Sequence, residues 1–179
     1  MPYKGSYVWK VRQKVGTMPL AIPAAEAAAI RDDGKILMVY NTDFDTWTIP
    51  GGYVEIGQNS ADCAVQELRE EGGLEADAKD MVAAQFRSGY RLDYEGGDVM
   101  YPFVQLFVVR KWNDTGDDTL DTTEVNGRQW LSITEIKELN GYEPAPEGKL
   151  NYNRDKIEAL ERYLQTGEYQ VLNYNEEIQ

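Results

Sequence analysis

The 179-residue sequence contains no histidine and a single cysteine, Cys63. Without histidine there is no Ser-His-Asp or Cys-His nucleophile and no imidazole metal ligand. One cysteine rules out an internal disulfide. Positive charge is scarce as well: 18 Lys and Arg stand against 31 Asp and Glu, a net charge of −13. That balance disfavours broad, sequence-independent binding to a nucleic-acid polymer, which relies on basic side chains against phosphate. No apolar run approaches the length of a membrane span. The first residues, MPYKGSYVWKVRQKVG, mix charge with apolar residues and lack a signal-peptide core, so a cytoplasmic location is expected. Chemistry in this chain has to run on carboxylates, Lys, Arg, Tyr, Ser or Thr.

What remains is a 42% hydrophobic sequence with its Val, Ile, Leu, Trp and Tyr spread evenly, long enough for one domain over residues 1–179. Ser6 caps a short helix closed by Gly16. Alanine propensity alone would make Ala24 to Ile30 helical, but the Asp33-Gly34 turn and the β-rich KILMVY behind it argue for a hairpin. Strands are expected at WTIPGGYVE, broken by Pro50-Gly51-Gly52, and at Val82–Tyr90, Met100–Arg110 and VNGRQWLSI. A helix should run from about Asn59 to Gly72, a short one should start at the Ser132/Glu135 capping box, and an amphipathic one should pass through Ile157, Leu160 and Leu164. Interleaved strands and helices give an α/β layered fold.

The segment GGYVEIGQNSADCAVQELREEGGL, Gly51 to Leu74, carries the chemistry. Glu67, Glu70 and Glu71 fall at i, i+3 and i+4 and so share one helix face, beside an apolar stripe of Ala61, Ala64, Val65 and Leu68. Clustered like charges cost about 0.2–0.5 kcal/mol per exposed pair. A divalent cation reverses that cost, and Mg²⁺ favours such hard oxygen ligands together with substrate phosphates. Three glutamates at a helix end are, taken alone, more often a solvated face.

The flanking pattern changes that weighting, because the stretch resembles the Nudix box, G-x5-E-x7-R-E-U-x-E-E-x-G-U with U apolar. With Gly52 as the first glycine, Glu67, Leu68, Glu70, Glu71, Gly73 and Leu74 also match, seven of nine positions. The preceding TWTIPGG resembles the family's Trp-x-x-Pro-Gly-Gly entry, and the looser similarity extends from about Ala24 to Leu139. The resemblance implies the Nudix fold, an α/β/α sandwich around a mixed β-sheet. It also implies cleavage of a diphosphate linkage in a nucleoside diphosphate derivative with Mg²⁺ or Mn²⁺. Carried over by position, Glu67, Glu70 and Glu71 would hold metal, with the Gly52 carbonyl and the loop residue Glu124 as further ligands. Glu67 is the first candidate for general base and Glu124 the second.

Two positions depart from the pattern. Gln58 and Gln66 replace a Glu and an Arg that commonly form an ion pair in this family. Replacing both avoids the cost of a single unpaired charge, and two amides can still hydrogen-bond. They are expected to touch and to support the site, with activity reduced or shifted toward higher pH or metal concentration. For substrate, Arg87 and Arg91 are candidate phosphate partners, and Tyr90 and Tyr94 are candidate stacking rings. Cys63 reads as a packing residue. The expected partner is a small phosphorylated nucleotide, and a homodimer is allowed. The competing readings are a catalytically weak Nudix-fold module that binds and senses a nucleotide, and a structural protein with a solvated acidic helix.

Overall fold

The computed structural model describes residues 4–94, 96–116, 125–145 and 151–174. The elements in chain order are α1 (Tyr7–Val15), β1 (Leu20–Ala29), β2 (Ile36–Asn41), β3 (Thr46–Thr48), β4 (Gly51–Tyr53), α2 (Ser60–Glu70), β5 (Leu74–Glu75), β6 (Val82–Ser88), β7 (Leu92–Asp93), β8 (Val99–Val109), β9 (Asn113–Asp114), β10 (Val125–Leu131), α3 (Ile133–Lys137), α4 (Tyr152–Thr166) and β11 (Gln170–Asn173). The main sheet is mixed, in the order β11-β6-β8-β1-β4, with β7 also on β8. A second sheet is ordered β10-β2-β3, and β5 pairs with β9.

Strand β1 decides the architecture. Its alanines override their helical propensity because β8 pairs with it in parallel register over ten residues, Leu20↔Met100 to Ala29↔Val109. Small side chains let both faces be covered closely. Ala25, Ala27 and Ala29 pack with Cys63, Ala64 and Leu68 of α2, while Ala28 joins Leu106, Ile157 and Leu160 on the other face. Helices therefore lie on both sides of the sheet.

The expected hairpin after β1 is realised only at its turn. Arg31 N–H donates to the Lys35 carbonyl at 2.9 Å and Gly34 takes a positive φ of 81°. Beyond the single Ile30–Ile36 bridge the strands part, β1 into the main sheet and β2 into the second. The strand through WTIPGGYVE is interrupted before Gly51, as expected, and its two pieces join different sheets: β3 pairs with β2, and β4 pairs with β1 at Glu26↔Gly51 and Ala25↔Gly52. Strand β11, parallel to β6, lies outside the sequence reading.

A buried charge cluster ties β1, β6 and α4 together. The Glu26 Oε1 accepts from Arg87 Nη2 at 2.8 Å and from Lys156 Nζ at 3.3 Å. Lys156 also donates to Thr48 Oγ1, Arg87 to Gln85 Oε1, and Gln85 to the Lys156 carbonyl. Burial by itself would raise the Glu26 carboxyl, but the two cations hold it below its ordinary value. The Lys156 ammonium is lowered by its burial.

Candidate active site

Helix α2 begins where Asn59 Oδ1 accepts the Asp62 N–H at 2.9 Å. Its apolar stripe docks Cys63, Ala64 and Leu68 on β1. That docking turns the next face, with Glu67 and Glu71, toward Gly51 and Gly52 of β4. Glu71 is buried and its Oε2 accepts the Gly51 N–H at 2.9 Å. The Glu67 carboxylate lies against Gly52 so closely that a Cβ there would fall 2.4 Å from Oε1. Glycine at position 52 is what leaves room for it.

The two glutamines meet. Gln58 Nε2 donates to Gln66 Oε1 at 2.8 Å, Gln58 Oε1 accepts the Glu55 N–H at 3.0 Å, and Gln66 Nε2 donates to both Glu70 oxygens at 3.1 and 3.2 Å. The chain of amides thus links the loop before α2 to the carboxylate of Glu70 without a charged partner. Gln66 could not serve both ends unless its oxygen faced Gln58 and its nitrogen Glu70.

Glu67, Glu71, Gln58 and Gln66 form one end of a cleft that continues past Gly51 and Gly52 onto the α4 face of the sheet. Its apolar floor includes Ala24, Ile49, Met100 and Val104, and Phe44, Tyr53, Tyr90 and Tyr94 supply aromatic walls. The Phe44 and Tyr94 rings are 5.0 Å apart, and the Tyr53 and Tyr94 hydroxyls share a 2.8 Å hydrogen bond. Every charged residue lining the cleft is acidic among the described residues: Glu26, Asp43, Glu55, Glu67, Glu71 and Asp98. Arg12 backs Asp98 at 3.2 Å, and Glu55 accepts the Tyr7 N–H. A phosphorylated ligand placed against this lining needs a cation to accompany it.

The donor set suits such a cation by its chemistry: carboxylate oxygens and the Gly52 carbonyl are the hard ligands that Mg²⁺ and Mn²⁺ take. Glu67 and Glu71 border the cleft, whereas Glu70 is exposed and turned to Gln66. Among the described residues no three acidic side chains already converge on one coordination point. Glu124 lies outside the described residues.

The residues expected to meet substrate are placed differently from one another. Tyr90 lines the cleft and packs against Tyr152, ring centroids 4.7 Å apart and tilted by 35°. Arg87 is buried behind it, held by Glu26 and Gln85, so its guanidinium is a fold contact and does not reach the cleft. Arg91 pairs with Asp93 at 2.7 Å outside the cleft lining. Cys63 is buried in the core, with its Sγ directed at the Gly52 carbonyl at 3.7 Å. Burial and the neighbouring Glu67 charge push its thiol up to about 12. Tyr94, the second expected stacking ring, also lines the cleft. The sequence reading passed over Glu26, whose signal was a lone acid inside the buried run AAEAAA, and over Phe44, which packs against Tyr94.

A mixed sheet between helices, with an acidic helix set against Gly51 and Gly52 of β4 at the end of its cleft, defines an α/β/α sandwich. The chain belongs to the Nudix family: the NUDIX domain model matches residues 21–152. Among curated relatives, mRNA-decapping enzyme subunit 2 of Saccharomyces cerevisiae is 32% identical over 73 residues, 37% of this chain and 8% of that protein. The curated relatives are matched over only 8% to 66% of their own length. A MutT protein from Bacillus halodurans superposes with a TM-score of 0.57 at 17% identity, covering 85% of this chain and 86% of the other. A UDP-X diphosphatase superposes at 0.52 with 18% identity over 92% and 73%. At these identities the structural likeness establishes the fold. Among the described residues no helix is long and apolar enough to cross a membrane.

Proposed function

We propose that the chain hydrolyses the diphosphate linkage of a nucleoside diphosphate derivative with the aid of Mg²⁺ or Mn²⁺. The observation that carries this reading is the placement of Glu67 and Glu71 at the Gly51-Gly52 end of an aromatic-walled cleft that has no basic lining among the described residues. Glu67, Glu70, Glu71 and the Gly52 carbonyl would hold the metal, which when bound neutralises the diphosphate and lowers the pKa of attacking water. The protein's part is to aim its oxygens. The Gly51 N–H fixes Glu71, the Gln66 amide orients Glu70, and Gly52 leaves room for the Glu67 carboxylate at the end of the cleft. Glu67 is the first choice to accept the proton from water, with Glu124 the second. Phe44, Tyr53, Tyr90 and Tyr94 flank the nucleoside and exclude water from it.

The rival reading, a module that binds a nucleotide with little turnover, draws on the neutral Gln58–Gln66 pair in place of the family's ion pair. One panel separates the two. ADP-ribose, a UDP-sugar, a capped dinucleotide and a nucleoside triphosphate are incubated with Mg²⁺ and wild type, Glu70→Gln or Glu71→Gln. The proposal expects nucleoside monophosphate release from at least one compound by wild type and its loss in both variants. Saturable binding without release supports the sensor, and neither binding nor release contradicts both.

A further inference from the structure

Helix α1 reaches the glutamate end of the cleft from outside the stretch that carries the glutamates. Ser6 and Val8 line the cleft, and Tyr7, the first residue of the helix, donates its N–H to both Glu55 oxygens at 2.8 and 3.0 Å. A carboxylate at a helix N-terminus is held by the N–H and the helix dipole together, and such charge-assisted bonds are the strong ones. The helix is itself fixed. Val8 is buried with Ile22 and Met100, and Arg12 donates to the Met18 carbonyl at 2.6 Å and the Val99 carbonyl at 3.0 Å beside its Asp98 contact. Glu55 passes this rigidity on through its backbone. Its N–H donates to Gln58 Oε1 at 3.0 Å, and its carbonyl accepts the Gln58 N–H at 3.1 Å. From Gln58 the amides continue to Gln66 and to the Glu70 carboxylate.

Resting on the function proposed above, we infer that Glu55 is a positioning residue for the cation site, anchored by the Tyr7 N–H and acting on Glu70 through Gln58 and Gln66. The bond between the two amides is neutral on both sides and weaker than a charged one. The charged contact of this loop stands three residues earlier, at Glu55, and its donor belongs to a helix 48 residues away. Both Glu55 oxygens are turned to that one N–H, which makes the carboxylate an anchor for the loop. Cutting the anchor frees Gln58, and Gln66 then loses the partner that keeps its nitrogen facing Glu70. Removing a group that orients a metal-holding side chain costs about 10–100-fold in metal affinity. Helix α1, distant in sequence, thereby sets the cation affinity of the site.

The test is a calorimetric titration of Mn²⁺ into substrate-free protein, beside a thermal melt of each variant. Tyr7→Pro deletes the N–H that holds Glu55, at the first helical position, where proline is tolerated. Ser6 already has the extended backbone that a following proline requires, with φ −62° and ψ 163°. Tyr7→Ala loses the same ring and keeps the N–H. The inference expects Tyr7→Pro to bind Mn²⁺ about tenfold or more weakly than Tyr7→Ala does. It expects Glu55→Ala to bind more weakly than Glu55→Gln, whose amide oxygen still accepts from Tyr7. In a Gln58→Ala background Glu55→Ala should weaken binding no further, because both act through one chain of bonds. A Glu55 that served only the fold would lower the melting temperature and leave the Mn²⁺ affinities within each pair equal, which overturns the inference. Equal weakening by Glu55→Ala and Glu55→Gln overturns it too, since charge alone would then be at work. Should Tyr7→Pro fail to fold, the Glu55 pair and the double variant decide the question. If wild type binds no Mn²⁺, the proposed function falls and the inference with it; if it binds while the pairs match, only the inference falls.

Discussion

Replacing Gly52 by alanine isolates the role of Glu67 from the stability of the fold. A Cβ at position 52 would stand 2.4 Å from Glu67 Oε1, 2.6 Å from Cδ and 2.9 Å from Oε2, where ordinary contact begins at 3.4 Å. The backbone can accept alanine, for Gly52 lies in β4 and has no positive φ. The three close contacts are all with the far end of one side chain, so the carboxylate retreats by about 1 Å and the strand stays in place. The fold should barely notice. Losing glycine's freedom in the unfolded chain stabilises by about 0.4–1 kcal/mol, which offsets residual crowding and leaves the melting temperature within a few degrees. Catalysis should notice strongly, because a displacement of about 1 Å in a reacting or ligating group can cost roughly 10²-fold in rate. The assay is kcat for Mg²⁺-dependent hydrolysis beside a thermal melt of the same preparation. A Gly52→Ala protein that melts like wild type and turns over within threefold of it would falsify the placement of Glu67 in the chemistry.

Further outcomes follow from the same geometry. Gly51→Ala should behave in the opposite way, with lower stability, because its Cβ would meet the Ala25 carbonyl at 2.7 Å, a backbone atom that cannot swing aside. Restoring the family's ion pair with Gln58→Glu and Gln66→Arg should raise turnover, while Gln58→Ala alone should cost about 0.5–1.5 kcal/mol in denaturant melts by removing the amide bridge; no gain in the double variant argues against the amides limiting the rate. Glu26→Gln strands the buried Arg87 and Lys156, and the loss should be about 3–5 kcal/mol at neutral pH. Since the folded Glu26 carboxyl is lowered from its ordinary value of 4.5, that advantage of wild type is fully present above pH 4.5 and disappears as pH falls through the lower folded value. A stability gap that instead widened in acid would contradict the pairing. Native Cys63, buried with its thiol pushed up to about 12, should resist a thiol reagent at pH 8 and react at once in denaturant.

How much of this was visible beforehand depends on whether the signal was local. The carboxylate helix was legible because capping, apolar stripe and glutamate spacing all lie within one continuous stretch, and the structure starts α2 at Ser60 behind Asn59 as that pattern requires. The capping box at Ser132 is equally local and equally present. Arg87 was not legible as a buried group. Strict alternation along β6 would place Phe86 inward and Arg87 outward, but a bulge between Ala83 and Gln85 shifts the register and turns Gln85 and Arg87 into the interior. Its partners, Glu26 and Lys156, are 61 and 130 residues distant from Arg87 and Glu26 respectively, so only the tertiary fold reveals the cluster. The splitting of the hairpin had the same origin, since β1 and β2 belong to different sheets whose partners β8 and β10 lie far along the chain. The rest of the cleft, beyond the glutamate end, draws its lining from β1, β8 and loops far apart in the chain.

The central claim is that Glu67 and Glu71 serve cation-assisted hydrolysis of a nucleoside diphosphate derivative. Its most direct measurement is nucleoside monophosphate release across a Mg²⁺ titration by wild type, Glu67→Gln and Glu71→Gln, each shown to be folded by circular dichroism. Saturable release by wild type, lost in both variants and on chelation, is the expected result. Release that persists in the variants or with a chelator present would contradict the account.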